Sequence, residues 1–113
     1  MNTTCLLILT TTPKKADGQN IARLLVRERA AACVQIVGRI ESRYRWKGKI
    51  EEAQEWLCII KTTTKNFKKV ERLIRTIHPY EVPEIVAVPL VAGGDDYLSW
   101  LSAEVASPSR SRG

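Results

Sequence analysis

The sequence predicts an α+β fold in which an antiparallel sheet packs against two helices, and three observations carry that prediction. Short runs of strand-forming residues alternate with segments whose apolar residues recur every three or four positions. One long stretch alternates apolar and polar residues and is followed by a glycine turn. The resulting order is strand, helix, strand, strand, helix, strand and a short C-terminal helix, which is typical of a ferredoxin-like βαββαβ domain.

The first strand and helix occupy the N-terminal third. The run from Cys5 to Thr12 is apolar at first, ends before Pro13 and predicts a buried central strand. Asp17 is the expected N-cap of a helix that runs on into the alanines at 30–32. Its predicted core residues share one side of the helix and are Ile21, Leu24 and Leu25.

The next segment predicts a long β-hairpin. One strand runs from Val34 to Trp46, Gly48 supplies the turn, and the return strand runs from Ile50 to Thr62. The alternation places seven residues of the first strand on a single face, namely Val34, Ile36, Gly38, Ile40, Ser42, Tyr44 and Trp46.

The length of this hairpin has a structural consequence. Thirteen strand residues span about 40 Å, whereas a compact domain of this size has a diameter of about 34 Å. The tip must therefore project or bend at Gly38. Three aromatic residues, Tyr44, Trp46 and Trp56, are predicted near the tip. Because leaving such large side chains in water is unfavourable, we expect other subunits to cover the tip. A hairpin folded over its own subunit is the alternative.

The second half predicts a helix, an edge strand and a closing helix. The helix runs from Lys65 to Ile77 and ends at Pro79. Glu84 to Val88 is an apolar strand flanked by prolines. Gly93-Gly94 forms a turn, Asp95 or Asp96 is the expected cap, and Tyr97 to Leu101 is the predicted core of the last helix.

Length and composition set limits on the class of protein. The 113 residues, 44% of them hydrophobic, suffice for one core without disulfides. We expect one domain over residues 1–104 and a disordered tail over 105–113. Three cysteines at wide spacing favour a reduced, cytoplasmic chain. No apolar run is long enough to span a membrane, and the first residues lack the basic start of a secretory signal.

The net charge of +6 is not concentrated on one predicted surface. The basic excess falls in the predicted helices, whereas residues 79–106 contain only acidic charges. That distribution favours solvated helix faces over a nucleic-acid groove. An RNA-binding ferredoxin-like domain is still an alternative, although the first strand lacks the aromatic residues on which such domains stack bases.

The sequence lacks residues that most known catalytic motifs require. His78 is the only histidine, and no phosphate-binding loop, dinucleotide fingerprint or nucleophile elbow occurs. We therefore expect a protein that is not an enzyme. A small enzyme with an inter-subunit cleft is the remaining catalytic alternative, and its residues would be His78, Tyr80, Glu81 and Lys61.

Two residues are candidate metal ligands. His78 precedes Pro79 at a helix end, where it either caps backbone carbonyls or binds a metal ion in a cleft. Cys33 follows an alanine run, and Cys58 lies in an apolar strand, so both are expected first as small buried residues.

Five motifs occur in order along the chain. They are Ala31-Ala32-Cys33-Val34, Tyr44-Arg45-Trp46-Lys47-Gly48-Lys49-Ile50-Glu51-Glu52, Lys61-Thr62, His78-Pro79-Tyr80-Glu81-Val82-Pro83-Glu84-Ile85 and Tyr97-Leu98-Ser99-Trp100-Leu101. Together they resemble the CutA family of divalent-cation tolerance proteins, over residues 5 to about 103.

The resemblance implies a homotrimer of ferredoxin-like subunits, similar to the PII signalling proteins, whose hairpins pack between subunits. It implies a sensor or adaptor in divalent-cation tolerance, with copper, a small ligand or another protein as partner. In some members a copper site is attributed to a strand cysteine and two histidines, positions occupied here by Thr10, Ile77 and His78. His78 and Cys33 are thus the implied metal candidates, and a single imidazole predicts weak copper binding.

Overall fold

The computed structural model describes residues 4–106, so most of the predicted tail lies outside the described residues. The helices and strands are β1 (Cys5–Thr12), α1 (Lys15–Arg27), β2 (Cys33–Trp46), β3 (Lys49–Thr63), α2 (Phe67–Ile77), β4 (Val86–Pro89) and α3 (Asp95–Val105). A single 3₁₀ turn, Thr64–Asn66, joins β3 to α2. Across residues 4–106, no helix is long and apolar enough to cross a membrane.

The four strands form one antiparallel sheet in the order β2-β3-β1-β4, which confirms the predicted ferredoxin-like α+β fold. Helices α1 and α2 cover one face, where the buried core includes Ile8, Ile60, Leu25 and Ile74. Helix α3 lies on the opposite face of the sheet. Ile60 points into the core, so the side chain of its neighbour Lys61 points to the other face, where it contacts Tyr97 of α3.

The helix ends differ from the predictions in three places. Asp17 is not the N-cap of α1: Lys14 holds that position, and Asp17 lies in the first turn, where its charge favours the helix N-terminus. The helix stops at Arg27 instead of reaching the alanines, because the chain turns through Arg29 at φ 57°. Val105, assigned by sequence to the tail, is the last residue of α3 and only 3% exposed.

The hairpin contains an extra residue that the alternation did not predict. Gly38 pairs with Trp56 and Ile40 with Glu55, so Arg39 has no partner on β3. Since paired residues share a face, Ile36 faces the core with Cys58, whereas Ile40 lies on the other face with Glu55. The predicted single face is therefore wrong beyond Gly38.

The outer part of the hairpin, residues 40–55, projects beyond the core and is called here the hairpin tip. Strand β1 ends opposite Trp56, so within the sheet the residues of the hairpin tip pair only with each other. The chain measures 45 × 32 × 22 Å, in line with the projection predicted from strand length. Trp56 lies at the base of the hairpin and not near its end, with the ammonium of Lys15 5.5 Å from its ring centroid.

Gly38 provides the space that the Trp56 ring occupies. A Cβ atom at position 38 would lie 1.9 Å from a ring carbon of Trp56, so Gly38→Ala must displace the indole. We expect a loss of about 1–3 kcal/mol in the free energy of unfolding, measured by urea denaturation. Gly94→Ala is the matched control, since its Cβ would meet no atom within 4 Å. Equal stability of the two variants would contradict this account of the hairpin base.

Candidate functional site

A concave feature lies where the hairpin tip leaves the sheet, and it is called here the hairpin cleft. Its volume is about 770 Å³. The walls are residues 41–44 and Trp46 of β2, Glu55 of β3, Thr11 of β1, and residues 79–82 and Glu84 from the segment between α2 and β4.

A buried carboxylate and a tyrosine meet in this cleft. Glu55 is 4% exposed, and the Tyr80 hydroxyl donates a hydrogen bond of 2.5 Å to its Oε2 atom. Burial, followed by this bond and the Glu55 charge, raises the pKa of Tyr80 well above its usual value. Tyr80 therefore remains a hydrogen-bond donor at neutral pH. None of the ion pairs formed within residues 4–106 includes Glu55.

His78 holds the segment that carries Tyr80 against β1. The Tyr80 backbone N–H donates to Nδ1 at 3.1 Å, and Nε2 lies 2.8 Å from the Thr11 carbonyl oxygen. The neutral imidazole with its proton on Nε2 satisfies both contacts. The ring thus bonds a carbonyl of β1, and not one of the helix that His78 follows. A metal ion at either nitrogen would displace one of these hydrogen bonds.

The two candidate metal ligands are far apart within the chain. Cys33 is opposite Lys61 and Thr11 is opposite Leu57, so the Cys33 and Thr11 positions differ by four residues along the sheet, about 13 Å. His78, bound to Thr11, cannot share an ion with Cys33 inside one subunit. In the part of the chain that is described, no three His, Cys, Asp or Glu residues are grouped to hold a metal ion.

Neither Cys58 nor the Thr10 position supplies a thiolate. Cys58 is fully buried, and burial raises the pKa of its thiol to about 11, so it stays protonated at neutral pH. Thr10 pairs with Cys58 and is also fully buried; its hydroxyl has no hydrogen-bond partner within residues 4–106.

The structure brings together only part of the predicted site. Four predicted residues line the hairpin cleft, and they are Tyr44, Trp46, Tyr80 and Glu81. Lys61 does not reach it: its ammonium is 5.4 Å from the Tyr97 ring centroid, and it lies six residues from Glu55 along β3, about 20 Å. Trp56 packs toward Gly38 instead of lining the cleft.

Sequence reasoning missed Glu55 as a site residue. No motif or spacing singled it out, but the structure buries it. The available signal was its position directly before the apolar run that starts at Trp56, where β3 enters the three-stranded part of the sheet.

Comparison with known proteins identifies close relatives. The family described as CutA1 divalent ion tolerance protein matches residues 6–104. The "Divalent-cation tolerance protein CutA" of Thermus thermophilus is 47% identical over 95 residues, which cover 84% of this chain and 92% of the relative.

Solved structures of similar proteins agree over almost the same span. The CutA structure from Xylella fastidiosa has a TM-score of 0.87 at 39% identity, covering 89% of this chain and 97% of that chain. The structure described as the periplasmic divalent cation tolerance protein CutA from Archaeoglobus fulgidus has a TM-score of 0.87 at 35% identity, covering 89% and 98%.

The Glu55 carboxylate depends on Tyr80 for its hydrogen bond. Tyr80→Phe leaves this buried group without that donor, so we expect a loss of about 1–3 kcal/mol in the free energy of unfolding, measured by chemical denaturation. Tyr97→Phe is the control, because Tyr97 is exposed and far from the cleft. The interpretation is wrong if the two variants lose the same stability.

The buried thiol of Cys58 predicts a pH dependence at alkaline pH. Its pKa rises from 9.0 to about 11 in the folded state, so the unfolded chain releases this proton first. The free energy of unfolding should therefore fall as pH increases from 9 to about 11. Cys58→Ala should show a shallower fall in urea titrations across this window, whereas Cys33→Ala should follow the wild type. Identical slopes for Cys58→Ala and wild type would be the contrary result.

Proposed function

Because this chain belongs to the CutA1 divalent ion tolerance family, we propose that it acts in divalent-cation tolerance as a homotrimer. In this role it is a sensor or adaptor, similar to PII proteins, and not an enzyme. The main observation that supports the proposed trimer is an apolar face of the sheet that continues into the hairpin tip.

The face of the sheet opposite α1 and α2, which α3 covers only in part, is called here the open sheet face. It exposes Val37, Val86 and Val88, with Val86 48% and Val88 46% exposed. The strand register places all three on the side of Leu57, away from the main core. Val37 lies on the edge strand β2 and the other two valines on the opposite edge strand β4, and exposed aliphatic residues on one sheet face are common at protein interfaces.

The hairpin tip also exposes apolar side chains that a partner subunit would bury. Tyr44, Trp46 and Ile50 are exposed there, and Ile50 is 60% exposed. Further copies of this chain would bury both the tip and the open sheet face, so we propose Tyr44 and Trp46 as interface residues. Trp56, Lys61, Tyr80 and Glu81 stay proposed as interface or cleft residues of the trimer.

Copper is the metal that we propose, with His78 and Cys33 as ligands. Since the two residues are far apart within one subunit, the proposal requires that they meet across a subunit boundary or that each binds separately. Thr10 and Ile77 contribute no strong copper ligand.

The side chains give less support to the two alternative functions, RNA binding and catalysis. The strands β1 and β3 present Leu7, Leu9, Leu57 and Ile59 on the open sheet face, where an RNA-recognition module needs aromatic side chains. The catalytic alternative places Lys61 beside His78 in an inter-subunit cleft, so it requires a second subunit to supply one of the two residues.

We propose a cytoplasmic location, consistent with three free cysteines. The Archaeoglobus relative is described as periplasmic, so the cellular location differs from the one proposed for this chain.

The assembly can be tested by light scattering coupled to size exclusion. The wild type should elute at three times 12.7 kDa. The double variant Val37→Lys, Val88→Lys should be a folded monomer, because it charges the open sheet face. Val26→Lys, an exposed valine on α1, should remain a trimer. A wild-type monomer at micromolar concentration would end the trimer proposal.

Metal binding can be tested by calorimetry with Cu²⁺. We expect the wild type to bind, and His78→Ala and Cys33→Ser each to weaken binding at least tenfold. Cys5→Ser is the control, since Cys5 is buried beside Ser102. Binding that is absent in the wild type, or unchanged in both variants, would contradict the proposed ligands.

A further inference from the structure

We propose that the hairpin cleft binds a small organic cation, a primary ammonium on an apolar body, with the charge held at Glu55. The inference goes beyond the metal-tolerance role. It is argued from contacts within one chain, and four residues of the cleft are also proposed residues of the trimer interface: Tyr44, Trp46, Tyr80 and Glu81.

The first argument is the unpaired buried carboxylate. Glu55 is more than nine-tenths buried, and within residues 4–106 its only side-chain hydrogen bond comes from the neutral Tyr80 hydroxyl. No Lys, Arg or His among these residues forms an ion pair with it. Buried charges are normally paired, because removing a carboxylate from water is costly. A cation from outside the chain would provide the missing partner.

The second argument is the charge of the cleft walls. Three further glutamates belong to the walls of the cleft, namely Glu41, Glu81 and Glu84, although strand alternation turns the Glu41 side chain to the face of the hairpin opposite Glu55. Arg43 is the single basic residue of the lining, and its Nε atom is already 3.1 Å from Glu52 Oε2. The cleft is therefore acidic on a chain whose net charge is +6, and its field attracts cations in preference to anions.

The third argument is the aromatic character of the walls. Tyr44 and Tyr80 present rings in the cleft, and cations are attracted to aromatic faces. Trp46 is less available, since the Lys47 ammonium lies 5.6 Å from its ring centroid. Aromatic rings beside a buried carboxylate suit an ammonium with an apolar body.

The size of the cleft favours an organic cation over a metal ion as the ligand. A volume of about 770 Å³ is in the range of small-molecule sites and far larger than a bare ion needs. Metal ions such as Ca²⁺ require six or more converging oxygens, whereas the described part of the chain has no group of three potential metal-binding side chains. The carboxylates are spread around the walls, which suits a larger cation.

Calorimetry on the full-length protein, in the assembly it forms, can test the proposal. The probe is phenethylamine, and phenethyl alcohol is the matched uncharged ligand. Phenethylamine should bind with a Kd of millimolar or tighter, and the alcohol at least tenfold more weakly. Glu55→Gln keeps the side-chain shape and an acceptor for Tyr80, and it should weaken phenethylamine binding at least tenfold.

Two further variants keep the test decisive. Glu104→Gln removes a carboxylate that pairs with Arg29 outside the cleft, and it should bind phenethylamine like the wild type. Tyr44→Leu removes an exposed ring of the wall and should weaken binding severalfold even if Glu55→Gln does not fold.

Three results would overturn the proposal. They are no phenethylamine binding up to about 10 mM, equal binding of the amine and the alcohol, and a Glu55-dependent site that takes Cu²⁺ but not phenethylamine. The first is the result expected if a basic side chain of a second copy fills the cleft.

Discussion

The packing of the Trp56 indole against Gly38 is the contact on which the rest of the hairpin depends. The ring occupies the space where any other residue would carry Cβ, and the next residue, Arg39, is extra in β2. An extra residue exchanges the two faces of a strand. The inner half of β2 therefore contributes Ile36 to the core, whereas the outer half turns Tyr44 toward the face of Glu55. The cleft and the projecting tip both follow from this exchange.

Much of the fold could be predicted because burial imposes periodicity on the sequence. The order of elements, the antiparallel arrangement and the long hairpin all follow from alternation and helical spacing. The extra residue at Arg39 could not be predicted, because neither face of the hairpin tip packs into the main core within one chain. An alternating pattern such as that of Tyr44 and Trp46 fits either face when neither is buried in the core.

The candidate site was predictable in part for a related reason. Tyr44, Trp46 and Tyr80 were notable as aromatic residues, and the structure collects them around one cleft. The position of Glu55 before the apolar run at Trp56 indicates burial, but its role in the cleft could not be predicted, since its partner Tyr80 is 25 residues away in sequence. The distance of Lys61 from the cleft within one chain could not be predicted, because it is fixed by strand register, which the sequence alone left open.

The unequal edges of the sheet limit how this chain can polymerise. The long strand β2 forms one edge, while β4 forms the other with only the four residues Val86–Pro89. Pro89 also lacks the N–H that a fifth strand would need. An open-ended fibre built by edge-to-edge addition would leave most of each β2 without a partner, so the geometry disfavours amyloid-like growth and favours closed oligomers.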